Sequence, residues 1–370
     1  MFDTVIVRYG EIFLKSEFVR KKFEKELLRN IKFRLKNSGF EFKFIRKRHR
    51  IYIKSSNAEV MANSLRNVFG IVSISPAIQT NAEINSIRDT AVRFAESILN
   101  KGDTFAIITS RSGEHEFKSQ DINSEIGGEI LKRIKDVSVN LDNPEKRIYI
   151  EIRDDLAFVF DKKIPGVGGL PYKTQGRVVV LVSGGIDSSV AAWMMAKRGC
   201  ELIGVHLGSE EEIKNIMEVL ERYTGYKIKI YSFEYDNILE RISDIAGKYT
   251  CIVCKRAMLR IASRIAKMEN ASGIVTGENI GQVASQTLKN LKVISSVYSP
   301  IYRPLIGMDK DEIIKIAKKI GVYEFSTSKS CRYVPGKPAT TSKLKKIEEI
   351  ENKIGIGDLI EKLMKGCQNQ

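Results

Sequence analysis

Apolar and polar positions change period several times along the chain, and each change marks an element. The opening FDTVIVRYG is dense in β-branched residues and predicts a strand. Phe18, Val19, Phe23, Leu27, Leu28, Ile31 and Leu35 then recur at helical spacing, with Lys21, Lys22, Lys25, Arg29, Lys32 and Lys36 on the other faces. FEFKFIR and RIYIKS alternate as two short strands, which completes a module over residues 1–58. A second module covers 59–163. Its first helix runs through Ile84, Ile87, Ala91, Phe94, Ala95 and Ile98, and TFAIITSR follows as a strand. Ile122, Ile126, Ile130, Leu131 and Ile134 stripe a second helix. VSVNL, RIYIEIR and LAFVF are strands, the last two turning at Asp154-Asp155. A Gly- and Pro-rich stretch predicts a linker over 164–176.

From residue 177 to 370 the pattern is different. RVVVLVS is a continuous apolar run, as in a strand buried on both faces of a parallel sheet. The helix VAAWMMAKRG, the strand ELIGVHL, the helix EEIKNIMEVLERYTG and the strand KIKIYSF follow. Further on come a helix over Ala257–Met268, the strand GIVTG, the helix DEIIKIAKKIG and a charged helical tail. Strands alternating with helices predict an α/β, doubly wound parallel sheet.

At 370 residues the chain suggests about two or three domains. A hydrophobic fraction of 43%, with only 8 prolines, excludes disorder and collagen-like repeats. No apolar run approaches the roughly 18 residues of a membrane helix, and the first residues lack a signal-peptide layout. Five cysteines are too few for a disulfide scaffold. These features predict a cytoplasmic protein with no membrane partner, in which any paired cysteines are catalytic or metal-binding rather than structural. Charge adds a partner. Residues 1–50 hold fifteen basic and six acidic side chains, so +9 of the net +16 lies there. That surplus predicts a polyanion, most simply nucleic acid. Lys21, Lys25, Arg46, Lys47, Arg48 and Arg50, with Arg111 in the second module, are the candidate contacts.

The sharpest chemical signal is Ser183-Gly184-Gly185-Ile186-Asp187-Ser188-Ser189, between a buried strand and a helix. Ligands bind beyond the carboxyl ends of such strands, and a helix N-terminus favours anions. The glycines admit a phosphate, and Ser183, Ser188 and Ser189 add hydroxyl donors. Asp187 is placed to hold Mg²⁺ on the phosphates. The loop has neither Walker A nor Rossmann spacing. It resembles the PP-loop of the ATP pyrophosphatases.

Nearly the whole chain resembles the tRNA 4-thiouridine synthetases, also called tRNA uracil 4-sulfurtransferases. The likeness rests on Arg8-Tyr9-Gly10-Glu11-Ile12, Gly166–Pro171, Thr276-Gly277-Glu278-Asn279, Gly281–Thr287, Arg303–Ile306 and Asp309-Lys310. It implies a ferredoxin-like domain over 1–58 and a THUMP RNA-binding domain over 59–163. It also implies a PP-loop adenylation domain over 177–370, and tRNA bound by its acceptor region. ATP would meet Leu181, Val182, Ser183, Gly184, Gly185, Asp187, Ser188, His206, Leu207, Gly277 and Gln286. Asp187, Lys310 and Cys331 would be catalytic, with Cys251 and Cys254. The implied reaction adenylates O4 of uridine 8 and then replaces it with sulfur. Gln282, Ser285 and Gln286, at i, i+3 and i+4, predict one shared helical face. Family members often have Pro where Ser189 stands. Some carry an added rhodanese domain, for which the residues after Cys331 are too few, and Cys367 is a poor substitute.

Cys251 and Cys254 form a CxxC expected just ahead of a helix, where Lys255, Arg256 and the helix N-terminus would lower the thiol pKa values. Zinc lacks a fourth ligand, because His49, His115 and His206 have no matching spacing. A dithiol or persulfide relay through Cys331 and a 4Fe–4S cluster on Cys251, Cys254 and Cys331 compete. The resemblance favours the cluster; Cys200 is expected in the core. The sulfur donor stays open, between sulfide and a cysteine desulfurase, as does a homodimer. Two other functions fit the PP-loop: a tRNA-modifying enzyme with a nitrogen nucleophile, and a non-enzymatic tRNA-binding protein with a decayed ATP site.

Overall fold

The structure is a computed structural model describing residues 1–36, 39–47, 50–327 and 331–365, without the side chains of 46 and 47. It forms two units, Met1–Gly169 and Leu170–Gln370. Among the described residues no helix is long and apolar enough to cross a membrane.

The first unit runs β1 (Thr4–Tyr9), α1 (Glu17–Lys36), β2 (Lys43–Lys47), β3 (Arg50–Lys54), α2 (Ala58–Leu65), β4 (Ile71–Asn81), α3 (Ile84–Ile98), β5 (Thr104–Ser112), α4 (Ser119–Arg133), β6 (Ser138–Val139), β7 (Lys146–Arg153), β8 (Leu156–Phe160) and β9 (Ile164–Pro165). These strands make one sheet in the order β2-β3-β1-β4-β8-β7-β5-β6, with β9 on β4. Strand β4 joins the two modules. Its first part, Ile71–Ala77, pairs with β1, and its last four residues pair with β8. The ferredoxin-like β1-α1-β2-β3-α2-β4 pattern is thus closed by a strand that the THUMP module also uses.

In α1 the buried stripe is Phe23, Leu27, Ile31 and Leu35, a strict i, i+4 row. Phe18, in the first turn, is 81% exposed, so the stripe starts one turn later than its spacing predicts. Leu131 likewise faces out, and Ile122, Ile126 and Ile130 carry the packing of α4. The start of the expected linker is structured, because Ile164 and Pro165 pair with Ile74 and Ser73.

The second unit runs β10 (Arg177–Val182), α5 (Ile186–Lys197), β11 (Glu201–Leu207), α6 (Lys214–Thr224), β12 (Lys229–Phe233), α7 (Asp236–Ala246), α8 (Thr250–Met268), β13 (Ile274–Val275), α9 (Leu288–Ser295), β14 (Ile301–Tyr302), α10 (Lys310–Ile320), α11 (Leu344–Ile354) and α12 (Ile356–Lys365). All pairings in its sheet are parallel, in the order β12-β11-β10-β13-β14. The chain winds one way from β10 to β12 and the other way through β13 and β14. The carboxyl end of β10 is therefore the switch point where an open α/β sheet leaves a crevice. Gly355, at a φ of 72°, separates α11 from α12. Glu351 of α11 is buried on Arg256 of α8 at 2.7 and 3.0 Å, which ties the tail to the core.

Candidate nucleotide and thiol site

Strand β10 ends at Val182, and Ser183–Gly185 turns the chain into α5. The turn is braced by its own serines. The Ser188 hydroxyl accepts from the Ser183 N–H at 3.0 Å, and the Ser189 hydroxyl donates to the Gly185 carbonyl at 2.9 Å. Ser189 is fully buried, so it supports the loop and does not supply the phosphate donor that its position predicts. For an anion there remain the Ser183 hydroxyl and the first-turn N–H groups and dipole of α5. A Cβ on Gly277 would stand 2.6 Å from the backbone of both Asp187 and Ser188, so only glycine lets the Thr276–Asn279 loop lie against the first turn of α5.

Asp187 collects the other elements. Its Oδ1 accepts from Lys310 Nζ at 2.6 Å, and its Oδ2 from Gln282 Nε2 at 3.0 Å. Lys310 is the first residue of α10, fixed by the Asp309–Glu312 capping box. Beside this pair lies a cleft of about 240 Å³, walled by Leu181, Met258, Leu259 and Ile294 and by the polar Ser183, Asp187, Lys255, Thr276 and Glu278. Glu278 is buried between Lys255 and Arg303, each at 2.9 Å, and accepts from Thr276 Oγ1 at 3.2 Å. Burial pushes its carboxyl up, but the two cations outweigh burial and hold it below the usual carboxylate range. One end of the cleft is thus apolar, suited to a flat base, and the other carries charge beside a helix N-terminus.

Cys251 and Cys254 lie inside the first turns of α8, not ahead of it. Ile252, Val253, Arg256 and Leu259 continue the buried helical pattern, which carries the helix back through the CxxC. The expected lowering of the thiol pKa values is reversed. Burial pushes Cys251 up against a weaker opposing effect of Lys255, and pushes Cys254 up to about 12 against a weaker opposing hydrogen bond from the Tyr235 hydroxyl. Lys255 is tied to Glu278, and Arg256 is buried on Glu351, so neither cation is free to serve the sulfurs. Both thiols feel the charge of Cys331, so the three share a neighbourhood. Among the described residues, no group of three His, Cys, Asp or Glu side chains could hold a metal ion.

Comparison with known proteins shows the family. A family model described as thiamine biosynthesis protein (ThiI) matches residues 173–356, a ThiI ferredoxin-like domain matches 4–75, and a THUMP domain matches 81–160. A probable tRNA sulfurtransferase of Methanocaldococcus jannaschii is 42% identical, covering 95% of this chain and 97% of that protein. One from Methanobrevibacter smithii is 41% identical over 98% of each. The chain belongs to the tRNA sulfurtransferase family. Among solved structures, a 4-thiouridine synthetase–RNA complex with bound ATP matches at a TM-score of 0.87 and 34% identity, covering 98% of this chain and 97% of that one. A Pyrococcus horikoshii protein, PH1313, matches at 0.70 and 28% identity, over 86% and 99%.

Within this sulfurtransferase family fold, the residues read from sequence fall into groups. Leu181, Val182, Ser183, Asp187, Ser188 and Gly277 line the cleft. Gly184 and Gly185 make the turn itself, and the Gly184 carbonyl accepts from the Thr327 N–H at 2.8 Å. His206 is buried on β11 with Nδ1 3.0 Å from the Val182 carbonyl, and Leu207 ends that strand; neither lines the cleft. Gln282, Ser285 and Gln286 do not share a helical face. Ala284–Gln286 is a single 3₁₀ turn, which leaves Gln282 exposed on Asp187 while Ser285 and Gln286 are buried. Cys200 is buried, as expected.

Of the basic candidates, Lys21 is exposed and 2.8 Å from Glu17, Lys25 is exposed, and Arg111 is exposed beside His115. Arg50 is held by the buried Glu151 at 3.0 Å. Arg46 and Lys47 lie on β2; Arg48, His49 and Cys367 fall outside the described residues. Sequence reasoning missed Lys255, Glu278 and Arg303 as one charge network. An acid in the loop after a parallel strand was visible, but its two cations come from 23 and 25 residues away.

Proposed function

We propose that this chain uses ATP to thiolate tRNA, adenylating O4 of uridine 8 and replacing it with sulfur to give 4-thiouridine. The observation that carries the reading is the Asp187–Lys310 pair at 2.6 Å, set at the switch point against a base-sized apolar cleft. In the proposed first step O4 attacks the α-phosphorus and pyrophosphate leaves. Lys310 and the N-terminus of α5 would offset the charge that develops on the phosphates. A sulfur nucleophile then attacks C4, and AMP leaves carrying the former O4. Adenylation is needed because O4 itself is a poor leaving group.

Two groups would assist. Asp187 presents hard oxygens at the phosphate loop, which fits Mg²⁺, with Lys310 and Gln282 as its partners otherwise. Among the described residues Cys251, Cys254 and Cys331 share a neighbourhood without being gathered into a group that could hold a metal ion; drawn together, three soft donors would suit a 4Fe–4S cluster with one open iron rather than a single closed ion. Such a cluster, when bound, would supply an iron able to hold sulfide. The persulfide relay through Cys331 is the second reading, favoured by the exposure of that thiol. The first unit would hold tRNA by its acceptor region, and the enzyme would work in the cytoplasm.

The test is tRNA-dependent ATP–pyrophosphate exchange together with the near-ultraviolet absorbance of 4-thiouridine, using sulfide as donor. Exchange without thiolation would leave adenylation standing and remove sulfide as the donor; the absence of both signals would sink the proposal. Iron content and visible absorbance of anaerobically reconstituted protein, with each Cys→Ala variant, separate the cluster from the relay.

A further inference from the structure

The sheet of the first unit curls back on itself. Tyr52 of β3 and Phe158 of β8 stack at 4.3 Å and 6°, although β1 and β4 lie between their strands. At the mouth of this curl three arginines converge on one acid, with a lysine beside them. Glu151 of β7 is buried and accepts from Arg8 at 2.9 and 3.2 Å, from Arg50 at 3.0 Å and from Arg153 at 3.3 Å. Arg8 also donates to Ser75 Oγ at 2.9 Å and lies over the Phe160 ring. Lys163 Nζ stands 4.1 Å from the centroid of Tyr149 and feels the charges of Arg8, Arg50 and Glu151.

The charges do not balance. Without counting Arg50, Arg8, Arg153 and Lys163 against the one carboxylate of Glu151 leave two positive charges. A clamp between the two modules would need only as many cations as acids, because excess like charge in a partly buried place is unfavourable. Exposure rises from Glu151 at the base, through Arg8 and then Arg50 and Arg153 at about a fifth, to Lys163 at the surface, so the excess charge can be reached from solvent. The Tyr52 hydroxyl, which feels the same Glu151 and arginines, is buried and has no hydrogen-bond partner. A buried hydroxyl without a partner is unusual in a folded protein.

We propose that Arg8, Arg50, Arg153 and Lys163 form a phosphate site, and that its occupant is a backbone phosphate of bound RNA. Arginine forks match a phosphate's oxygens, and Glu151 holds all three arginines in place for it. The inference rests on the reading of this chain as acting on tRNA.

The experiment measures tRNA affinity of the full chain against salt, for the parent, Lys163→Gln, Arg153→Gln and the surface control Lys101→Gln. Melting is followed in parallel with added inorganic phosphate. Lys163→Gln and Arg153→Gln should each weaken binding roughly fivefold at low salt and make the slope of log affinity against log salt shallower by about 0.7 to 0.9. Phosphate should raise the melting midpoint of the parent and raise it less in these two. Lys163 is exposed, so its variant will fold even if Arg153→Gln does not. Slopes equal to that of Lys101→Gln, with tRNA still bound, would overturn the site. Protection by phosphate without a change in slope would assign it to the free ion and overturn the RNA occupant. A parent that binds no tRNA would instead refute the function on which the inference rests.

Discussion

Glu278→Gln keeps the shape of the side chain and removes the charge that Lys255 and Arg303 share. The carboxylate has 9% of its side-chain surface exposed and takes two ion pairs of 2.9 Å. Removing one partner of a buried pair costs about 3–5 kcal/mol, because the other charges are left uncompensated. Lys255 is a quarter exposed and can turn to water, and the amide can still accept one bond. The loss should therefore lie near the lower bound, about 3 kcal/mol. In a unit of about 200 residues this lowers the melting midpoint by roughly 6–12 °C. The pH dependence has a definite sign. Glu278 is held below its unfolded pKa, so its contribution is complete above that value and is lost as pH falls through the folded one. The gap between parent and variant should be widest at neutral pH and narrow below about pH 4. Urea unfolding at several pH values measures it, and a cycle with Lys255→Met isolates the pair. A difference under about 0.5 kcal/mol at neutral pH would show that the network adds nothing to stability.

Three other outcomes are expected. Gly277→Ala should retain the fold but abolish ATP–pyrophosphate exchange, because its methyl meets the backbone of Asp187 and Ser188 at 2.6 Å; normal exchange would show that the loop can shift. Asp187→Ala should also remove exchange while changing unfolding free energy by less than about 1 kcal/mol, since the side chain lies at the cleft and not in the core. Under iodoacetamide near pH 8 in metal-free protein, exposed Cys331 should alkylate at least about tenfold faster than Cys254, whose thiol burial holds up to about 12; equal rates by mass spectrometry would contradict that protection.

Much of this protein is determined by local pattern. The apolar run at 178–182 makes a buried parallel strand wherever it occurs, and Ser183–Ser189 after it must make a strand-to-helix turn. The periodicities of α1, α3, α4 and α10 place those helices within a few residues. Side-chain environment was not legible in the same way, because it depends on what distant segments bring. The CxxC reads as a pair of activated thiols beside Lys255 and Arg256. Folding spends those cations on Glu278 and Glu351 and partly buries the two cysteines, so their pKa values move the other way. Ser189 reads as a phosphate donor until helix packing turns its hydroxyl onto Gly185. Arg50 reads as a free surface cation until the sheet curls and sets it on Glu151, which is 101 residues away in the chain. Local periodicity is decided by neighbours along the backbone; charge and burial are decided by neighbours in space, and those only the tertiary structure supplies.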